Sequence, residues 1–218
     1  MIREVLFMKK GLFITFEGND GSGKTTIANL VVGTLQVLGY DVVYTREPGG
    51  IRIAEDIRSI ILNPEYTEMD PMCEAMLYAA ARRQHLVQKV LPALAEHKIV
   101  ICDRFIDSSL AYQGSARGLG IPEIYELNQF AVKGHMPDLT LFLKVDLETG
   151  LARVQSRGAM DRMDQESMDF HIKVAQGYDE VLNAYQNRIH VIDASQEVEK
   201  VYQDTMHVIN QLVKAYEE

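Results

Sequence analysis

Gly18-Asn-Asp-Gly-Ser-Gly-Lys-Thr25 decides the fold of this 218-residue chain. The stretch fits G-x-x-x-x-G-K-[ST], a glycine-rich loop whose backbone N–H groups cradle phosphates. Patterns of this length also arise by chance, so the flanks matter. Gly11-Leu-Phe-Ile-Thr-Phe-Glu17 precedes it, apolar and β-prone, and Thr26 to Leu38 follows with apolar residues at helical spacing. Strand, glycine turn and helix are the setting the motif requires, which favours nucleotide binding over an ordinary glycine-rich turn. Gly18, Gly21 and Gly23 let the backbone take positive φ close to a bulky anion. The N-terminus of the following helix adds N–H donors and its dipole. Lys24 supplies a point charge for the β- and γ-phosphates, and the Thr25 hydroxyl suits Mg²⁺. Gly18, Asn19, Asp20, Gly21, Ser22, Gly23, Lys24, Thr25 and Thr26 are thus the candidate loop for a nucleoside triphosphate.

Composition sets the outer bounds. An apolar fraction of 47% and a charged fraction of 24% are ordinary for a soluble globular protein. Against 22 basic residues stand 31 acidic ones, a net charge of −9. That balance argues against a general nucleic-acid or membrane-surface binder and predicts that Arg and Lys gather at one anion site. Cys73 and Cys102 form no disulfide framework and no metal-ligand spacing; their apolar surroundings predict buried free thiols. The six histidines are scattered. No apolar run of membrane-spanning length and no cleavable leader is present, which predicts a cytoplasmic protein. Met8-Lys-Lys-Gly is a second plausible start, so residues 1–9 read as an extension.

No repeat, low-complexity tract or linker divides the chain, so one domain is expected. Strands are predicted at 11–17, 41–45, 98–102, 139–145 and 189–193, with helical patterns between them. Such alternation predicts right-handed crossovers and the α/β class: a P-loop NTPase three-layer α/β/α sandwich around a five-stranded parallel sheet. In these sheets ligands sit beyond the carboxyl ends of the strands, so the residues that follow each strand deserve the closest reading.

After the second strand come Arg46 and Glu47, then Pro48-Gly49-Gly50, a tight turn facing the loop or a β–α turn with surface charges. Arg58, on an amphipathic helix over 53–62, is a snorkelling residue or an anion ligand. On a helix expected from about 71 to 97, Tyr78 and Arg82 share one face. The pair could stack on and hydrogen-bond a flat base, although on their own a core tyrosine and a surface arginine are favoured. Asp103 closes a buried strand where a carboxylate can hold Mg²⁺ or its waters, and Arg104 beside it offers a fork for an anionic oxygen. Ser108, Ser109, Tyr112 and Gln113 could read a base edge or simply cap and solvate a helix. Arg153, Arg157 and Arg162 surround Gly158, a composition suited to a mobile flap over about 153–166 or to a basic helix C-terminus. The segments 166–187 and 196–216 read as packing helices.

Taken together, Phe16-Glu-Gly-Asn-Asp-Gly-Ser-Gly-Lys-Thr-Thr26, Thr45-Arg-Glu-Pro-Gly-Gly50, Leu77-Tyr-Ala-Ala-Ala-Arg82, Asp103-Arg-Phe-Ile-Asp-Ser-Ser-Leu-Ala-Tyr-Gln113 and Arg157-Gly-Ala-Met-Asp-Arg162 resemble the bacterial-type thymidylate kinase family of nucleoside-monophosphate kinases. The resemblance implies transfer of the γ-phosphoryl group of ATP to dTMP with Mg²⁺, giving dTDP for dTTP and DNA precursor supply, by a homodimer joined through helices. It implies that Asp20 approaches the acceptor's 3′-hydroxyl and that Arg58 and Arg104 hold the dTMP phosphate. Tyr78 would stack on thymine and Arg82 hydrogen-bond its edge, with Ser108, Ser109, Tyr112 and Gln113 reading base and sugar. Glu47 and Pro48 would lie on the acceptor side, joined by a cis bond. Gly21 stands where eukaryotic forms place an arginine, so the lid would supply it: Arg153 and Arg157 on the ATP side, with Lys24, Asp20, Arg104 and Arg157 as the catalytic set and Thr25 and Asp103 at Mg²⁺. The residues themselves leave room for another small acceptor, such as dUMP or a deoxynucleoside.

Overall fold

The computed structural model describes residues 10–156, 158 and 160–217. The expected extension over 1–9 and the lid residue Arg157 lie outside them. Five parallel strands, β1 (Leu12–Glu17), β2 (Val42–Arg46), β3 (Ile99–Asp103), β4 (Leu139–Lys144) and β5 (Ile189–Asp193), form one sheet in the order β2-β3-β1-β4-β5. Each lies within two residues of the span its sequence predicts.

Strand pleating splits the apolar residues between two faces. Leu12, Ile14 and Phe16 of β1, Ile99 and Ile101 of β3 and Leu141 and Leu143 of β4 pack on Ile27, Val31 and Leu35 of α1 (Lys24–Val37) and Ile209 and Val213 of α9 (Val198–Glu217). Phe13, Val100 and Cys102 point the other way, onto Leu86, Val90, Phe105 and Leu110, and onto Ile124 and Val132 of α6 (Ile121–Val132). Phe142 joins Tyr112, Phe170, Val174 and Tyr178, the last three on α8 (Met168–Ala184). With helices on both faces, β1 is buried at all six positions, and its four apolar side chains, Leu12, Phe13, Ile14 and Phe16, contribute about 1.5–3 kcal/mol each. The three-layer expectation is met.

Local chemistry sets the helix starts. Asp70 caps α3 (Pro71–His85) by accepting from the Cys73 N–H at 2.9 Å, with Pro71 in the first turn. Asp146 caps α7 (Leu147–Gln155) through the Thr149 N–H at 2.8 Å. The single helix expected from about 71 to 97 is instead α3, a π-helical segment at Leu86–Val90, and α4 (Leu91–Ala95). Pro92 has no N–H to return to the preceding turn, and the widened turn sits just before it. Cys102 is buried as expected, but Cys73 is exposed because it sits on the outer side of the first turn of α3. Helix α6 is the helical stretch expected between the third and fourth strands.

Candidate active site

The site grows from the carboxyl ends of β1, β3 and β2, which lie side by side. Phe16 pairs with Asp103, and Asp103 with Arg46. A cleft of about 360 Å³ opens there, bounded by the glycine loop on one side and by Tyr78, Arg82, Ser109 and Gln113 on the other.

Along the loop, Gly18, Gly21 and Gly23 all take positive φ, as expected, and α1 begins immediately after Gly23. The Lys24 ammonium is buried and donates to Gly18 O at 2.9 Å, Asn19 O at 2.8 Å and Ser22 Oγ at 3.3 Å. Burial, then the like charge of Arg104, pushes its pKa down to about 8. Asn19 Oδ1 is buried with no hydrogen-bond partner among the described residues. Thr26 is exposed and lines the cleft. Thr25 Oγ1 donates to Asp103 Oδ2 at 2.6 Å. Two hard oxygens at the head of a helix fit a Mg²⁺ that keeps most of its waters and shares the substrate phosphates. Among the described residues no cluster of three or more His, Cys, Asp or Glu could hold a metal by itself.

Arg104 is the junction of the site. It sits in the left-handed region at φ 70°, and its N–H donates to Phe16 O at 2.9 Å. From that anchor its guanidinium donates to Ser108 Oγ at 2.9 Å, Tyr178 OH at 3.1 Å and Gly18 O at 3.3 Å, and pairs with the Asp20 carboxylate. Tyr112 OH donates to the other Asp20 oxygen at 2.6 Å. Burial alone would raise the Asp20 pKa, but Arg104, Lys24 and Tyr112 outweigh it and hold the carboxyl at about 2. Beneath them, buried Glu17 accepts from Phe105 N at 2.7 Å, Ser108 Oγ at 2.6 Å and Tyr178 OH at 3.1 Å. Burial, and secondly the charge of Asp107, lifts its pKa to about 7.

At the far end Arg82 is 2% exposed, so the surface-arginine alternative is overturned. Its Nε donates to Glu47 Oε2 at 2.7 Å, Nη1 to Asn128 Oδ1, and Nη2 to Phe105 O at 3.0 Å and Ser109 Oγ at 3.1 Å. Glu47 is shared with His85, which in turn meets Thr45 Oγ1. The Glu47–Pro48 bond is cis, and Pro48 O accepts from Arg58 Nη1 at 3.0 Å. Glu47, Pro48, Arg58, Tyr78 and Tyr112 all line the cleft. Gln113 is buried at its wall, donating to Glu74 at 2.9 Å.

The flap arginines divide. Arg153 lies on α7, not on a loop, and its Nη1 donates to Gly21 O at 3.1 Å. There α7 abuts the glycine loop so closely that a Cβ on Gly21 would lie 2.0 Å from Gly150 O. Arg162, grouped with the flap by spacing, is buried away from the loop; it donates to Ile61 O at 2.8 Å and Glu74 Oε2 at 2.5 Å. Sequence reading missed Glu17, Glu74, His85, Asn128 and Tyr178. Only Glu17 carried a signal, as a carboxylate ending an apolar strand.

Against known proteins, the family model described as thymidylate kinase matches residues 16–205. The chain is 56% identical to a thymidylate kinase of Geobacillus sp. (strain WCH70) over 86% of its own length and 90% of the relative's. It is 52% identical to one of Shouchella clausii (strain KSM-K16), over 94% and 98% respectively. The crystal structure of thymidylate kinase from Ehrlichia chaffeensis superposes with a TM-score of 0.75 at 33% identity, covering 92% of this chain and 99% of that one.

Proposed function

This chain belongs to the thymidylate kinase family, and from that premise we propose how its residues phosphorylate dTMP to dTDP with ATP as donor. The observation that carries the assignment of roles is the ion pair of Asp20, on the phosphate loop, with Arg104, on the acceptor side of the same cleft.

Lys24 and the loop N–H groups, with Arg153 behind them, hold the ATP phosphates. The Lys24 ammonium leaves the carbonyls of Gly18 and Asn19 for phosphate oxygens, whose charge keeps it protonated. Thr25 and Asp103 would hold Mg²⁺, which when bound would supply charge neutralisation on the transferring group. Arg104 and Arg58 bind the dTMP phosphate, Tyr78 stacks on the base, and Arg82, Ser109 and Gln113 face its edge. Asp20, ionised at any working pH, accepts from the sugar 3′-hydroxyl and fixes the acceptor's angle of approach. The attacking phosphate oxygen is already largely ionised near neutral pH, so no strong base is needed. Catalysis is therefore alignment and charge neutralisation. Arg157, outside the described residues, is the arginine proposed to neutralise the transferring group, a role that Gly21, having no side chain, leaves open.

We further propose one domain, a cytoplasmic location and a homodimer. Among the described residues no helix is long and apolar enough to cross a membrane, and no basic surface for nucleic acid is expected of so acidic a chain. Phe130 is 81% exposed on α6, beside Met76 at 54% on α3, a pair of apolar residues that a second copy would cover. ATP consumption measured in parallel with dTMP, dUMP, dCMP, dGMP and AMP tests the assignment; turnover with another acceptor exceeding that with dTMP refutes it.

A further inference from the structure

Glu74 holds no place in the reaction described so far, yet it is 1% exposed on α3, one contact away from the base end of the cleft. Its Oε1 accepts from Gln113 Nε2 at 2.9 Å and Arg117 Nε at 3.2 Å, its Oε2 from Arg117 Nη2 at 3.0 Å and Arg162 Nη2 at 2.5 Å. Burial alone would favour the neutral acid, but hydrogen bonds and charge from the two arginines and from Gln113 hold the carboxyl below its ordinary range. A carboxylate can only accept, so the amide beside it must turn its NH₂ inward. Gln113 then presents Oε1 to the cleft it lines, and no described residue donates to that oxygen.

We propose that Glu74 is a positioning residue for base specificity: by pinning the Gln113 amide it turns an acceptor toward the base and selects pyrimidines that carry an N3–H. The inference rests on the thymidylate kinase reading and deepens it. Arg82, the neighbouring polar group, is donor-only, and four of its five N–H groups are already bound within the protein. The wall therefore offers one donor and one acceptor. Thymine and uracil oppose them with O4 and N3–H; cytosine opposes them with N4–H₂ and an N3 lone pair, unpaired at both points. Buried polar groups left unpaired are a strong basis for rejection.

The test compares dUMP with dCMP, which both lack the thymine methyl, so that its packing cancels. Wild type should favour dUMP in kcat/KM by at least on the order of 10². Glu74→Gln lets either amide turn, and the ratio should narrow at least about tenfold. Glu74→Asp keeps the charge for the arginines but draws the oxygen back by about one bond length, and should narrow it in the same direction. Arg117→Met, which loosens the cluster but leaves Glu74 held by Arg162 and hydrogen-bonded to Gln113, should lower Tm yet leave the ratio within about twofold. An unchanged ratio in either folded Glu74 variant, or an equal narrowing in Arg117→Met, overturns the proposal. So does equal use of dUMP and dCMP by wild type, which needs no variant to fold. Failure of wild type to phosphorylate dTMP would instead sink the underlying reading.

Discussion

Replacing Gly21 by alanine isolates how tightly the phosphate loop is wedged against α7. Gly21 has φ 74°, and a Cβ built there lies 2.0 Å from Gly150 O and 2.9 Å from Gly150 Cα. A left-handed alanine costs about 1–2 kcal/mol. The clash is with backbone, so α7 must retreat by about 1 Å or more to restore ordinary contact, an overpacking of about 1–3 kcal/mol. The sum is roughly 2–5 kcal/mol, or a fall in Tm of about 4–20 °C for a chain of this size. Gly23 is the internal control: its φ is 89°, but nothing lies within 4 Å of its Cβ. Gly23→Ala should cost only the conformational part, about 1–2 kcal/mol. Thermal and urea unfolding of the two variants, side by side, read the difference. Retreat of α7 also stretches the Arg153–Gly21 hydrogen bond, so Gly21→Ala should raise the KM for ATP. Equal losses in the two variants, or a Gly21→Ala Tm indistinguishable from wild type, would refute the wedge.

Three further outcomes are expected. Arg82→Met removes the guanidinium partner of buried Glu47, leaving only His85 beside it, and should destabilise by about 3–5 kcal/mol in urea titrations; a loss below about 1 kcal/mol would mean the buried pair is dispensable. Glu17 has a folded pKa of about 7 against an ordinary 4.5, raised by burial. Its stabilising contribution is complete below the unfolded value and is lost as pH rises through about 7. The stability of wild type relative to Glu17→Gln should therefore decline between about pH 4.5 and pH 7, and a flat or rising difference contradicts the shift. Arg157→Ala should leave the KM for dTMP near normal while cutting kcat at least about tenfold; full turnover removes Arg157 from the mechanism.

What the sequence made legible follows the sheet. Strand positions, the glycine loop and the residues just after β2 and β3 are set by local pattern, and Asp103, Arg104 and Thr25 meet where spacing placed them. Arg82 shows why the rest stayed hidden. In an alanine-rich helix an arginine reads as solvated, because its partners Glu47 and Asn128 lie 35 and 46 residues away. Arg162 misled in the opposite direction: its neighbours suggested a phosphate-facing flap, whereas Glu74, 88 residues earlier, buries it. Tyr178 looked like packing on an amphipathic helix and is packing, but its hydroxyl also steadies Arg104 and Glu17. Charges that find partners only in tertiary structure leave no periodic trace. The π-helical turn before Pro92 was equally invisible to a period of 3.6.

The place of β1 in the middle of the sheet also sets an order of assembly. The first strand among the described residues pairs on one side with β3, where Leu12 meets Ile99, and on the other with β4, where Thr15 meets Thr140. Its partners thus emerge 87 and 125 residues later. At about 5–20 residues per second, the ribosome needs roughly 6–25 s to produce the second of them. Until β3 emerges the phosphate loop lacks its Asp103 side, and until α7 follows β4 it lacks the wedge at Gly21. A nascent chain should acquire nucleotide binding late, once β4 and α7 have followed β3.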